Sequence, residues 1–369
     1  MKIGIDISQI VHDGTGVARF TNGLLLSILE YDKKNEWTFF FSSLRKNLDS
    51  SLEQKILSKG HNLIKWKLPP TLLSFLWNDL HRFSSLLPTP YFLLSNFDWF
   101  ITSDWTEPPL HEVKKMTIVH DLTFLRYPET VNEKIIKTQE KRLQHVKKES
   151  KIIFADSHST KKDLIELLHI EEKRIVVDYP GVEIIRPSTS HIKKTLKKYN
   201  LKNKKFILTV GKLEPRKNFE RLIHAFKRIE KKDIKLVIVG PKGWQRNNLT
   251  IDQSSNITFL GFVPDVELYS LYSSCLLFVY PSIWEGFGYP IIEAMKSRAP
   301  VTCSNTSSIK EIADRAALFF DPTNINEMTQ CINELSQNKT LRKGLIKKGI
   351  ETSKIFSWKN YYDKLISSL

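Results

Sequence analysis

Short β-rich apolar runs alternate with helix-period segments along nearly the whole chain, which is the pattern of βα units winding a parallel sheet. In the first half the runs are KIGIDIS, WTFFFSS, FDWFITS, MTIVHD and KIIFADS, with helices predicted after Gly16 and after Ser159. The alternation then restarts. FILTVGKL, KLVIVG, NITFLGF, LLFVYPS and VTCSN read as strands, separated by the helical segments NFERLIHAFKRI, PDVELYSLYSSC and PIIEAMKSR. A chain of 369 residues is too long for one core and suits two α/β domains. The Lys-rich stretch from about Pro187 to Lys205 follows a strand-like VVDYPGV and reads as the linker, which divides the chain into 1–188 and 189–355. The tail SWKNYYDKLISSL opens on a Ser cap and has no strand after it, so 356–369 is expected to be a helix packing back on the first domain. Two such domains are expected to leave a cleft at the carboxyl ends of their strands, where open α/β sheets bind ligands.

The apolar opening carries Asp6 within it and lacks a small-residue cleavage site, so it reads as a first buried strand rather than a signal peptide. No window reaches the roughly 18 apolar residues that a membrane-spanning helix needs. The Leu-, Phe- and Trp-rich segment from Leu72 to Phe100 is interrupted by Asp79, His81 and Arg82. Cys275, Cys303 and Cys331 form no CxxC pair, which argues for neither a disulfide framework nor a zinc site and favours a reducing cytoplasm. The net charge of +16 favours anionic partners, namely nucleotide phosphates, lipid headgroups or nucleic acid, and its sign alone does not choose among them.

The most informative segment is FVYPSIWEGFGYPIIEAM, where a buried strand gives way to a glycine-rich turn and then a helix starting near Pro290. Such a turn offers backbone N–H groups and the positive end of a helix dipole, a seat for a phosphate or its neighbouring sugar. Gly286 and Gly288 allow close approach of the main chain. Glu285 and Glu293 flank the turn at positions that do not read as core, and carboxylates beside backbone donors suit a ligand covered in hydroxyls. Further upstream, TVGKLEPRKNFERLIHAF places Arg216 and Lys217 between a strand and a helix, where a guanidinium fork and an ammonium together neutralise a diphosphate. MTIVHDLTF ends a first-half strand with His120 and Asp121, and GTGVARF sets Gly14, Thr15 and Gly16 between the first strand and the first helix. That loop lacks the third glycine of a dinucleotide fingerprint, which counts against hydride transfer.

EGFGYPIIE, with seven residues between its glutamates, resembles the signature of retaining glycosyltransferase family 4. The resemblance implies a GT-B fold, two Rossmann-like α/β domains facing across a cleft, with the last helix crossing back. It implies that Glu285 contacts donor-sugar hydroxyls, that Glu293 holds the nucleotide ribose, and that Arg216 and Lys217 stabilise the leaving nucleotide diphosphate. His120 is implied to face the donor sugar. Gly16, Gly286, Phe287, Gly288 and Tyr289 are implied to line the donor site, with Gly14, Thr15 and Asp121 on the acceptor side. GPKGW, FLGFVPD and ADSHSTKKDLI are fainter matches, and the resemblance runs from Ile5 to about Asp321.

The function so implied is transfer of a hexose, mannose or similar, from a nucleotide-diphosphate sugar to a saccharide or lipid-linked saccharide. The EPRKN form resembles bacterial mannosyltransferases of surface polysaccharide assembly. No Asp-x-Asp triplet is present, so no metal and no cofactor is expected, and no nucleic-acid partner. The expected location is the cytoplasm, with peripheral contact with an anionic inner membrane face. Trp77, Phe92, Trp99 and Trp105 either fill a core or line a basic acceptor surface. Two other classes remain open: a basic module binding membrane or nucleic acid, which would leave the EGFGYPIIE turn without a role, and a phosphorylase or epimerase on the same fold.

Overall fold

A computed structural model of the chain describes residues 1–12, 14–81, 96–110, 112–241 and 256–369. Arg82, Phe92 and residues 242–244 of the GPKGW loop lie outside the described residues. The chain forms two compact units, Met1–Gly181 with Ser357–Leu369, and Val182–Phe356. The division therefore falls at Gly181/Val182, ahead of the expected 188/189.

The first unit holds a seven-stranded parallel sheet of β1 (Lys2–Asp6), β2 (Glu36–Ser42), β3 (Asn62–Trp66), β4 (Trp99–Ser103), β5 (Lys114–Val119), β6 (Ser150–Ala155) and β7 (Ile175–Val177), in the order β3-β2-β1-β4-β5-β6-β7. Ile3 pairs with both Trp37 and Trp99, which sets β1 at the centre. The strands read as continuous apolar runs because helices cover both faces of a parallel sheet. The order reverses between β1 and β4, and a crevice opens outside the strand ends at such a reversal.

Trp77 and Trp99 are buried, Trp77 in a cluster with Phe40, Leu73, Phe100 and Leu110, so these rings belong to the core rather than to an acceptor surface. Trp105 is half-buried. The Trp358–Ser368 helix, capped where Ser357 Oγ accepts from the Asn360 amide, belongs to this unit and packs on the Gly16–Tyr31 helix. Trp358 fits there because Gly23 and Gly181 lack side chains. A Cβ on either would come within 2.1 and 2.4 Å of Trp358 atoms, respectively.

The second unit repeats the plan with six parallel strands, β8 (Phe206–Val210), β9 (Lys235–Val239), β10 (Ile257–Gly261), β11 (Leu277–Tyr280), β12 (Val301–Ser304) and β13 (Ala317–Phe320), in the order β10-β9-β8-β11-β12-β13. Its reversal lies between β8 and β11. A core of Ile207, Leu222, Leu236, Ile238, Val279 and Ile332 joins the sheet to the Phe219–Lys227 and Ile325–Gln337 helices.

The expected linker is corrected by the fold. Residues 189–198 form a helix, Thr189–Lys198, whose cap Ser188 accepts from the His191 amide and which packs on the Asp265–Ser274 helix. Ile192, Thr195, Leu196 and Tyr199 form its inner face at helical spacing, and the lysines that made the stretch look like a linker point outward, with Lys198 2.7 Å from Glu267. All three cysteines are free. Among the described residues no helix is long and apolar enough to cross a membrane.

Candidate functional site

In the second unit the loops leaving β8 and β11 meet where the strand order reverses. After β8 the chain runs through a short 3-10 turn, Pro215–Lys217, and then Asn218, which adopts a left-handed φ of 59° before the Phe219–Lys227 helix. Asn is among the few residues that take this conformation readily. Its side-chain amide donates to the carbonyls of Pro281 (3.0 Å) and Pro322 (2.8 Å), tying the β8 loop to the loop after β11.

This tie brings Arg216 and Lys217 onto Glu285. Glu285 Oε1 accepts from Lys217 Nζ at 2.5 Å, Tyr280 Oη at 2.9 Å and Ser282 Oγ at 2.5 Å, while Oε2 accepts from Arg216 Nη1 at 2.7 Å. Burial alone would push this carboxyl up, but the two adjacent cations and these hydrogen bonds hold it down at about 2. Burial and the neighbouring guanidinium keep the Lys217 amine below its ordinary range, and burial next to Glu285 keeps the Tyr280 phenol well above its own. One anion thus sits between two cations with little water to screen them.

Serines from the Ser307–Ala313 helix pin the backbone of the turn. Ser307 Oγ accepts from the Glu285 amide at 3.0 Å, and Ser308 Oγ donates to the carbonyls of Glu285 (2.8 Å) and Phe287 (2.7 Å). Gly288 has φ 121°, which a side chain would strain, and precedes the Tyr289–Lys296 helix. Phe287 is buried, its ring 5.0 Å from that of Tyr289. Glu293 accepts from Tyr272 Oη at 3.1 Å. The expectation that both glutamates lie outside the core is corrected: Glu285 is 7% and Glu293 2% exposed. Partners from neighbouring elements make that burial tolerable.

In the first unit, Gly14 has φ 78° and Thr15 caps the Gly16–Tyr31 helix, accepting from Ala18 N at 3.2 Å and donating to His12 O at 2.8 Å. Thr15 also lines a cavity of about 550 Å³ shared with His12, Arg45 and Lys46. His120 follows β5, with its Nδ1 2.7 Å from Asp156 Oδ2 at the end of β6 and its ring edge-on to Phe20. Its Nε2 is buried with no hydrogen-bond partner. Burial opposes charge on the ring, but Asp156 outweighs it and raises the His120 pKa. Asp121 does not orient this histidine, because its carboxylate caps the next turn by accepting from Thr123 N at 2.9 Å.

Asp156, Tyr280, Ser282 and Asn218 are the site residues that sequence reasoning missed. Asp156 and Tyr280 lie inside segments singled out as strand ends, ADSHSTKKDLI and FVYPS, but a strand-end position alone does not reveal which carboxylate or phenol a neighbouring strand will meet.

One group of ligand-type side chains occurs among the described residues: His81, His145 and Glu149. The two imidazoles are stacked at 3.7 Å and 13°, so their in-plane lone pairs lie in separate parallel planes and do not converge on one ion. Glu149 also pairs with Lys115.

Residues 191–352 match the family described as Glycosyl transferases group 1, a span that contains Arg216, Lys217, Glu285 and Glu293. O-antigen chain mannosyltransferase B of Escherichia coli is 30% identical over 265 residues, covering 69% of this chain and 70% of that protein. The chain belongs to the group 1 glycosyl transferases. The serotype-specific mannosyltransferase WbdA of E. coli is 32% identical over 223 residues, 56% of this glycosyltransferase but only 27% of WbdA's own length. The crystal structure of Anabaena HepE in complex with UDP and glucose aligns with a TM-score of 0.71 at 16% identity over 100% of both chains. That likeness gives this glycosyltransferase the GT-B fold, with its two Rossmann-like α/β units.

Proposed function

We propose that this glycosyltransferase is a retaining enzyme of family 4 that moves mannose, or a hexose like it, from a nucleotide-diphosphate sugar to a saccharide or lipid-linked saccharide in surface polysaccharide synthesis. The observation that carries this reading is the convergence of Arg216 and Lys217 on Glu285 at the strand reversal of the second sheet. Two cations preset beside a helix N-terminus suit a departing diphosphate, and fixed charge aimed where negative charge develops is commonly the largest contribution to a catalysed rate.

Glu285 serves the donor-sugar hydroxyls, and Glu293 the ribose. Gly286, Phe287, Gly288 and Tyr289 supply the backbone of the donor site, together with Gly16. His120, oriented by Asp156, faces the donor sugar, and Gly14, Thr15 and Asp121 serve the acceptor. The diphosphate charge is met by these side chains without a metal or cofactor, and the enzyme works in the cytoplasm at an anionic membrane face. The mannosyltransferase names of its relatives support the choice of sugar.

The test is thermal stabilisation by UDP, GDP, ADP and dTDP, repeated with Arg216→Ala and Glu293→Ala, followed by NMR assignment of the anomeric configuration of the product. One diphosphate is expected to raise the melt, by about 2.7 kcal/mol at 100 times its Kd, and both substitutions to abolish the shift. Equal stabilisation by every polyanion would overturn the reading, and an inverted product would overturn its retaining part.

A further inference from the structure

The turn after β4 is built differently from the other strand ends. Asp104 has φ 69°, and the Trp105 amide donates to the Ser103 carbonyl at 3.1 Å across it. Asp104 is therefore the middle residue of a γ-turn with positive φ, a rare and strained geometry for a residue other than glycine. The surroundings hold it there. Gln139, buried on the Glu133–Glu149 helix, donates its Nε2 to the Asp104 carbonyl at 2.5 Å. Two residues on, Thr106 reaches Asp6 Oδ2 at 3.4 Å, and the Glu107 amide donates to Asn78 Oδ1 at 3.0 Å.

β4 and β1 flank the strand reversal of the first sheet, so this turn borders the crevice where an open α/β sheet takes its ligand. The other carboxylates at these strand ends are engaged. Asp6 accepts from Ser8 N at 2.8 Å, Glu107 from Thr102 Oγ1 at 2.8 Å, Asp121 from Thr123 N and Asp156 from His120. Among the described residues nothing donates a hydrogen bond to the Asp104 carboxylate, although it lies close enough to His120, Arg142 and His12 to interact with their charges. A strained backbone that carries a carboxylate without a hydrogen-bond donor, in a turn bordering the crevice and near the one histidine of the proposed site, is poorly explained by folding alone. A glycine would relieve the strain but would also remove a negative charge that His120 and the buried Arg142 feel.

We propose that Asp104 is a substrate-contacting residue whose carboxylate accepts a hydrogen bond from a hydroxyl of the acceptor sugar. This rests on the glycosyltransferase reading above and deepens it by naming the group that orients the acceptor. Burial raises the Asp104 pKa; in its ionised form the carboxylate only accepts, so its partner is then a donor, and a sugar ring supplies hydroxyl donors where a phosphate would be repelled.

The experiment compares the full chain with Asp104→Asn and Asp104→Gly. Both replacements tolerate left-handed backbone but remove a charge near the buried Arg142, so the melting temperature should stay close to the parent's, and the stabilisation by the nucleotide diphosphate should persist. The acceptor KM should rise by roughly 10-fold or more, the usual loss for a hydrogen bond to a charged group, while the donor KM stays within about twofold. A turnover-independent readout is saturation-transfer NMR with methyl α-mannoside, where the parent should give a signal that Asp104→Asn loses. Unchanged acceptor KM, equal NMR signals, or a fall in melting temperature that accounts for the loss would overturn the proposal. Failure of the broader reading looks different, because the parent itself would then show no selective diphosphate shift.

Discussion

Lys217 Nζ lies 2.5 Å from Glu285 Oε1, and both groups are buried beside Arg216. Because the folded Glu285 is held at about 2 against an ordinary 4.5, its ionisation stabilises the fold above about pH 4.5 and is lost as the pH falls toward 2. Glu285→Gln should therefore lower the melt at pH 7, where the buried Lys217 and the partly buried Arg216 lose their anion. Its melt should also fall less steeply than the parent's between pH 5 and 3. At about 1.4 kcal/mol per tenfold change in proton affinity, the difference at neutral pH is on the order of 3 kcal/mol. Parallel acid melts check it, and identical slopes would remove Glu285 from the acid transition.

Arg216 uses one nitrogen for two acceptors, Glu285 Oε2 at 2.7 Å and the Trp284 carbonyl at 3.2 Å. A lysine keeps the charge but not the planar fork, so Arg216→Lys is expected to fold with a parental melt and lose on the order of 100-fold in kcat. Steady-state kinetics with the donor found by the diphosphate panel measures this. Full activity in the lysine variant would mean that charge alone, and not geometry, is required.

His120 owes its raised pKa to Asp156, since burial acts in the opposite direction. In Asp156→Asn burial and Arg142 are opposed only by the weaker pull of Asp104, and the ring should titrate lower than in the parent. The sign for stability follows: a raised histidine pKa stabilises at low pH and is lost as the pH rises through it, so the stability gap between parent and variant should be wider at pH 6 than at pH 9. NMR titration of the His120 ring tests the first statement and paired melts the second. A higher pKa in the variant would show that Asp156 does not hold the proton on this ring.

Ten of the strands were legible as apolar runs because a parallel sheet is covered on both faces and needs no alternation. β3 was not, being an edge strand whose NLIKW is half exposed, and β13 is only four residues long at the edge of the other sheet. The Thr189–Lys198 helix was masked by its own lysines, which dominate the composition while Ile192, Thr195 and Leu196 carry the packing. At the site, Glu285, Arg216 and Lys217 were legible because each sits at a strand-to-helix junction, and Glu293 because it lies one turn into the helix that follows. Their mutual pairing was not, because it depends on which strands become neighbours, β8 with β11 across a stretch of sequence that holds β9 and β10. The same holds for His120 and Asp156, brought together only when β5 pairs with β6.

The two units offer glycines of opposite sign. In the first, Gly23 lies against Trp358, and an added methyl would approach its ring to 2.1 Å, so Gly23→Ala must displace either the indole or the Trp358–Ser368 helix and should cost about 1–3 kcal/mol. In the second, Gly344 sits within the Lys339–Thr352 helix with nothing within 4 Å of the added Cβ, so Gly344→Ala should gain about 0.5–1 kcal/mol from helix propensity and a stiffer unfolded chain. Denaturant unfolding of both variants measures these effects. If the steric account of Gly23 is right, the penalty depends on the indole: in a Trp358→Ala background the Gly23→Ala change should cost far less than in the parent. A penalty that survives loss of the indole would place the constraint on the Gly16–Tyr31 helix itself and not on how the last helix docks against it.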